Sequence, residues 1–332
     1  MTIMTRAFPL DEATARPLEI GLVNNMPDAA LQATERQFRS LIVEAAGERP
    51  VHLRLFHMAE VSRTDVAARL LERGGYASLD ALPTEGLDAL IVTGSEPLAA
   101  RLQDEAHWDA MCRLVDWAGR NTHSAIWSCL AAHAAVLRLD GIERRPLPGK
   151  CSGVFAFART CVHPLTEGMG ETVSTPHSRT NALEAEDLTA AGYCLLTASP
   201  EAGVDAFVRE GDSRFVFLQG HPEYDADALR LEYRRDLKRF LNGERTTLPA
   251  PPRNAFSPAV EAVLAELAPG TEAHPHPERF EAYAPVLATP KGEAGWRPAW
   301  VRFYANWIDG LVERPGRAGL NMQQVGEAVA VR

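Results

Sequence analysis

The chain has 332 residues, 46% of them hydrophobic and 23% charged, a balance that fits an ordinary folded protein and excludes disordered and fibrous architectures. Its formal charge of −10 repels a phosphate backbone, so a nucleic-acid partner is disfavoured and a phosphorylated ligand needs a local cationic pocket. No run approaches the roughly 18 apolar residues of a membrane span, and Met1–Arg6 lacks the apolar core of a signal peptide, so the expectation is a soluble cytoplasmic protein with no membrane partner.

After a mixed, Pro-punctuated segment over residues 1–17, Leu18–Val23 reads as a short buried strand. It turns at Asn24–Asp28 into a helix over Ala29–Ala46, where Leu31, Phe38, Leu41, Ile42 and Ala45 recur at helical spacing until Gly47. The alternation repeats with a strand at Val51–Phe56, a helix through Val66–Leu71 and a strand at Leu87–Val92 that ends in Thr93-Gly94. A helix over Glu105–Ala118, a strand at Ser124–Trp127 and a helical run over Leu130–Leu139 follow. Strands apolar on both faces belong inside a parallel sheet, and strictly alternating strands and helices define an α/β, doubly wound, mostly parallel sheet flanked by helices. Farther on, Glu171–Ser174, Tyr193–Thr197, Val204–Arg209 and Arg214–Leu218 read as shorter strands, the last two joined as a hairpin through 210–213. A helix over Ala226–Asn242 comes next. Residues 243–295, rich in proline, read as a loose insertion around one helix, Pro258–Leu267, and Arg297–Glu313 reads as a Trp-rich amphipathic helix before a frayed tail.

The five cysteines, Cys112, Cys129, Cys151, Cys161 and Cys194, are odd in number and form no CxxC pair, which argues for thiols and against a disulfide framework or a structural metal site. Lysine occurs only at Lys150, Lys238 and Lys291 among 34 basic residues, so a retained lysine merits attention.

Cys129 sits where the fourth long strand stops and a helix starts, between Ser128 and Ala131-Ala132. A sharp strand-to-helix elbow presents a nucleophile at a helix N-terminus, where a thiolate is favoured and the next backbone N–H is free for an oxyanion. A small buried hydrophobe is the equally weighted alternative for Cys129, and the reading kept for the other four cysteines. His221-Pro222-Glu223 lies at the end of the last hairpin strand, where Glu223 can orient the imidazole as a proton-accepting base; an incidental surface histidine is the alternative for this turn alone. Elbow cysteine and His-x-Glu together form the arrangement of acyl-transfer chemistry.

These features resemble the class I glutamine amidotransferase fold, which is flavodoxin-like, and more closely one offshoot, the homoserine O-succinyl/acetyltransferases. The matching stretches are Leu22-Val-Asn-Asn-Met-Pro27, Leu90-Ile-Val-Thr-Gly94, Trp108 followed by the Cys129 elbow, Lys150-Cys-Ser-Gly-Val154, Pro176-His-Ser-Arg179, and Gly220-His-Pro-Glu-Tyr-Asp225 with Arg235 on the next helix. The resemblance spans about residues 16–242 and the Asn306-Trp307 helix, and its motifs fall in the family's order. It implies Cys129 as acyl-thioester nucleophile, His221 as proton acceptor with Glu223 as partner, and Lys150, Ser178 and Arg235 as substrate-binding positions. On its own chemistry Arg235 suits a carboxylate, or is a solvated helix charge beside Arg230, Arg234 and Arg239; Ser178 binds substrate or caps a turn. An oxyanion hole is expected from Leu130 and the Gly94-Ser95 turn. The implied division is an N-terminal segment 1–17, an acyltransferase domain 18–242, the insertion 243–295, and a C-terminal helix and tail, 296–332, packed on the main domain.

The implied activity is ping-pong transfer of an acyl group from acyl-CoA, as co-substrate, to L-homoserine in methionine biosynthesis, with no bound cofactor or metal and a homodimeric assembly. Two departures stand out. Asp28-Ala29 replaces a lysine pair frequent in the family, and Ser95-Glu96 replaces Ala-Pro. Leu98 occupies the position where the family's Gly accompanies succinyl and Glu accompanies acetyl. Leucine does not repel a succinyl carboxylate, which favours succinyl over acetyl, although its bulk competes for the same space. The alternatives are glutamine amide hydrolysis, disfavoured by Ser128 and His133 where that branch has Gly and Gln, and a catalytically silent binding protein. His133 and His177 read either as pocket-lining or as satisfied structural residues.

Overall fold

The computed structural model describes residues 16–288 and 293–312, so the N-terminal segment up to residue 15, residues 289–292, and Glu313 with the expected tail after it lie outside the described residues. In chain order the elements are β1 Leu18–Val23, α1 Leu31–Ala46, β2 Val51–His57, α2 Asp65–Arg73, β3 Ala77–Ser78, β4 Ala89–Val92, α3 Trp108–Asn121, β5 Ser124–Ser128 and α4 Leu130–Asp140. There follow β6 Arg145–Arg159, β7 Thr172–Ala182, α5 Ala185–Ala190, β8 Cys194–Leu195, β9 Thr197–Ser199, β10 Gly203–Val204, β11 Ala206–Arg209 and β12 Arg214–Leu218. The remaining helices are α6 Ala228–Leu241, α7 Pro258–Ala273, α8 Phe280–Leu287 and α9 Arg297–Val312.

Eight strands form one sheet in the order β3-β2-β1-β4-β5-β12-β11-β8, parallel from β3 through β12 and antiparallel at β11 and β8. The chain starts at β1, winds outward to β3, then returns to β4 on the other side of β1, which creates a topological switch point between β1 and β4. The strands read as continuous apolar runs because both faces are covered. Ile20, Leu22, Ile91, Ile126, Val216 and Leu218 point into one core with α1 and α9. Val23, Leu90, Val92, Trp127, Phe215 and Phe217 point into the other, with α3 and α4.

A second sheet, β10-β9-β6-β7, stands beside the first. Its long strand β6 has no counterpart in the sequence reading, and Pro146, Pro148 and Gly149 interrupt its apolar pattern. The ladder with β7 accommodates them through a register shift between Pro146 and Cys151. The expected strands Tyr193–Thr197 and Val204–Arg209 each split, since the chain crosses from one sheet to the other at Leu196 and again at Asp205.

Residues 243–288 are more ordered than the loose insertion expected from their prolines. Helices α7 and α8 pack on α6 around Tyr233, Leu237, Phe240, Leu264, Tyr283 and Leu287. Helix α7 continues past Pro269, where Thr271 Oγ1 donates to the Leu267 carbonyl at 2.8 Å and accepts from the Tyr283 hydroxyl at 2.8 Å. One proline forfeits a single helical hydrogen bond, and this packing outweighs it.

Helix α9 buries Trp300, Phe303, Tyr304, Trp307, Ile308 and Leu311, the i, i+3, i+4 stripe of one helical face. The Trp307 indole also donates to Ser124 Oγ at 2.9 Å, tying the helix to β5. Trp307→Ala removes both the packing and that bond and is expected to destabilise the fold by about 3–5 kcal/mol, measured as a lower urea midpoint with an unchanged slope.

Candidate active site

Residues that follow the carboxyl ends of β1, β4, β5 and β12 meet at one end of the sheet, where ligands of open α/β sheets bind. Cys129 caps α4 with φ 53° and ψ −114°, a backbone conformation that an L residue rarely adopts. It is held there by its N–H, which donates to the Leu218 carbonyl at 2.7 Å. The small buried residues Ser128, Ala131 and Ala132 let the chain turn sharply, while the cysteine itself stays partly exposed. A Cβ on Gly94 would lie 2.9 Å from the Leu130 nitrogen, so the β4 turn packs directly against the start of α4 and only glycine fits. Cys129, Leu130, Gly94 and Ser95 are thus brought together.

His221 is buried, with Nδ1 2.9 Å from Glu223 Oε1, and Cys129 is close enough to act on it electrostatically. Burial opposes a charged imidazole, but the electrostatic influence of neighbouring Cys129 and Glu223 outweighs it and holds the His221 pKa well above its ordinary value. The backbone of this turn is fixed by the His221 N–H donating to the Pro176 carbonyl at 2.8 Å and the Gly220 N–H donating to Asp205 Oδ1 at 2.9 Å. A Cβ on Gly220 would lie 2.6 Å from Thr175 Cγ2 and 2.7 Å from His177 Nε2, so this glycine is sterically required.

The ring of Tyr224 stacks on His221 at 4.3 Å, and its hydroxyl donates to Glu232 on α6. Glu232 also accepts from the Ser178 hydroxyl on β7 and lies 3.6 Å from Lys150 Nζ. Lys150 lies 2.9 Å from Asp236, which also holds the Arg235 guanidinium at 2.9 Å. Lys150, Ser178 and Arg235, drawn from three elements, therefore join one polar chain that reaches His221. Burial works against the charges on Glu232 and Asp236, yet Lys150 beside both, Ser178 and Tyr224 on Glu232, and Arg235 on Asp236 keep their pKa values below the ordinary range. The neighbouring arginines face elsewhere: Arg230 pairs with Asp227, Arg234 lies over the Phe280 ring and Arg239 pairs with Glu96.

Leu98 is 89% exposed at the rim of a cleft of about 650 Å³, so its bulk fills no buried space. Asp28, Glu96 and Glu105 make that cleft acidic. The departure at Asp28 has a structural use, since its carboxylate holds Arg63 at 3.2 Å and accepts from the Thr64 N–H at 2.9 Å. Both histidines are fully enclosed in the protein. His133 is buried with Nε2 3.0 Å from Gln219 Oε1. His177 stacks on Phe157 at 4.9 Å and accepts from Arg179 Nε at 3.2 Å.

Glu232, Asp236, Asp205 and Gln219 were not singled out from sequence. Their partners come from distant strands, and only the four-residue spacing of Glu232 and Asp236 around Arg235 gave any signal. Arg144 was also missed. This half-buried cation acts electrostatically on Glu105 and Cys129, and has no hydrogen-bond or salt-bridge partner among the described residues. No group of three or more side chains able to hold a metal occurs among the described residues, and no described helix is long and apolar enough to cross a membrane.

A strained elbow thiol, an imidazole under its electrostatic influence and a carboxylate bonded to the imidazole, on a doubly wound α/β sheet, are the parts that cysteine-dependent acyl transfer uses. The family model for homoserine O-succinyltransferase matches residues 3–315. The chain is 49% identical over 308 residues to the homoserine O-succinyltransferase of Rhodopseudomonas palustris, covering 92% of each chain. It is 48% identical over 297 residues to that of Methylorubrum extorquens, covering 90% of this chain and 88% of the other. Among solved structures it is similar to a glutamine amidotransferase from Methylobacillus flagellatus, with 16% identity, a TM-score of 0.49 and coverage of 90% and 96%. The chain belongs to the homoserine O-succinyltransferase family, a family of acyltransferases.

His133 carries a pH consequence. Burial pushes its pKa down to about 3 from an ordinary 6.5, so below pH 6.5 the unfolded chain takes up a proton that the folded chain refuses. Its contribution is complete above pH 6.5 and is lost as the pH falls toward 3. Urea unfolding at pH 7 and pH 5 should show wild type losing about 2 kcal/mol more than His133→Gln over that interval.

Proposed function

We propose that this chain is a homoserine O-succinyltransferase that works through an acyl-cysteine intermediate, serving methionine biosynthesis, with acyl-CoA as co-substrate. The observation that carries the reading is His221, hydrogen-bonded to Glu223, under the electrostatic influence of Cys129 and biased toward the imidazolium. In the first half-reaction the Cys129 thiolate attacks the thioester carbonyl of the donor. The Leu130 N–H and the Gly94-Ser95 turn stabilise the tetrahedral oxyanion, and the CoA thiolate leaves with the proton from His221. In the second, His221 takes the proton of the homoserine hydroxyl as that oxygen attacks the acyl-cysteine, and the Cys129 thiolate departs. Glu223 holds the ring orientation and offsets its charge in both steps.

The acceptor reading rests on the names of the relatives and on the polar chain beside His221. The Arg235 side chain keeps 42% of its surface exposed while bound to Asp236, so its guanidinium has donors left for an amino acid carboxylate. The donor reading favours succinyl for two reasons. Leu98 brings no negative charge to the cleft rim. Glu105 is occupied in accepting from the backbone N–H groups of Leu98 and Ala99 at 2.8 Å each, and Glu96 is paired with Arg239. Arg144, half-buried and without a hydrogen-bond or salt-bridge partner among the described residues, is the cation we assign to the distal carboxylate of a succinyl group.

Release of CoA thiol with L-homoserine, compared between succinyl-CoA and acetyl-CoA, tests the reading. Homoserine-dependent release that falls at least about 10³-fold in Cys129→Ala, with succinyl-CoA preferred, is expected. Ammonia from glutamine without CoA release would instead place the activity with amide hydrolysis. Arg144→Ala should raise KM for succinyl-CoA about 10- to 100-fold while leaving KM for acetyl-CoA near its wild-type value.

A further inference from the structure

Cys161 and Cys194 lie 33 positions apart in sequence, yet their sulfur atoms are 3.2 Å apart. Cys161 follows the end of β6 and Cys194 opens β8, so the pair stands where the small sheet meets the edge of the large one. The two segments are held together without the sulfurs. Arg159 pairs with Thr197 in the β6–β9 ladder, the Thr160 N–H donates to the Leu196 carbonyl at 3.0 Å, and the Thr160 hydroxyl donates to the Leu195 carbonyl at 2.5 Å. Both thiols are partly exposed and open to a small reagent. A disulfide needs its sulfurs about 2.05 Å apart, so closure asks for a shift of about 1 Å between side chains already in register.

We infer that Cys161 and Cys194 form an oxidisable dithiol, closed to an intramolecular disulfide by exchange with a low-molecular-weight disulfide. The chemistry takes two steps. The thiolate of one cysteine attacks the reagent, forming a mixed disulfide and releasing one reagent thiol. The second protein thiolate then attacks the sulfur of the first, forming the protein disulfide and releasing the other reagent thiol. Two thiols are oxidised, one external disulfide is reduced, and both protons pass to the released thiolates. Burial and the hydrogen bond with Cys194 push the Cys161 thiol up to about 11, so little of it is thiolate at neutral pH and exchange is slow to start from that sulfur.

The closed loop would enclose β7, which carries Ser178, together with α5. Cross-linking it removes freedom from the unfolded chain rather than adding a contact to the folded one. The test treats the full chain with oxidised glutathione, alkylates free thiols and digests with trypsin without reduction. Cleavage after Arg159, Arg179 and Arg209 puts the two cysteines on separate peptides, 160–179 and 180–209. These peptides joined by a disulfide are the expected result, with a Tm higher by about 5 °C than the reduced form and the gain absent in Cys161→Ser and in Cys194→Ser. Separate peptides, each alkylated or carrying glutathione, would overturn the inference, as would a Tm gain that persists in both variants.

Discussion

The pairing of β5 with β12 is the constraint on which the candidate site depends. Ser128 lies opposite Leu218, so the two parallel strands end level, and the chain beyond each turns toward the other. The bond from the Cys129 N–H to the Leu218 carbonyl closes the ladder one residue beyond the last pair and sets Cys129 beside the segment that carries His221. That register is enforced from below. Phe215 and Phe217 enter one core and Val216 and Leu218 the other, so a slip by one residue would exchange aromatic for aliphatic side chains across the whole sheet. The chemistry at the strand ends is thus positioned by packing beneath it.

Behind the reactive groups lies a layer of buried polar side chains that fixes them in turn. Gln219 accepts from the Leu183 N–H at 2.9 Å, contacts His133 and donates to the Val204 carbonyl at 2.7 Å. Asp205 holds the backbone of Gly220 and faces His177 at 3.4 Å. Each such group would be costly if left unpaired. Here each gains its partners only when both sheets and the turn between them are in place, so assembling the site and completing the fold are nearly the same event.

What was legible in the sequence was local. The bounds of β1 and β12 follow from short apolar runs, and Cys129, His221 and Glu223 were visible because an elbow and a turn advertise themselves within a few residues. The overlooked parts depend on distance or on exceptions. Glu232 and Asp236 look like ordinary helix carboxylates until Lys150 and Ser178 arrive from β6 and β7. The long strand β6 was hidden by prolines that its register shift absorbs, and α7 outran Pro269 because tertiary packing compensated one lost bond. The cysteine pair at Cys161 and Cys194 was invisible because no sequence spacing reports a crossing between two sheets.

Helix α6 has two faces with different duties. Glu232, Arg235 and Asp236 serve the polar chain beside His221, while Tyr233, Leu237 and Phe240 anchor the cluster built by α7 and α8. The Pro-rich segment is therefore an outer buttress for the helix that aims Arg235. Any substitution in that buttress bears on the helix that also carries Glu232, Arg235 and Asp236, without changing which polar groups that helix presents. The setting of the polar chain is thus open to adjustment from the part of the sequence that looks least concerned with it.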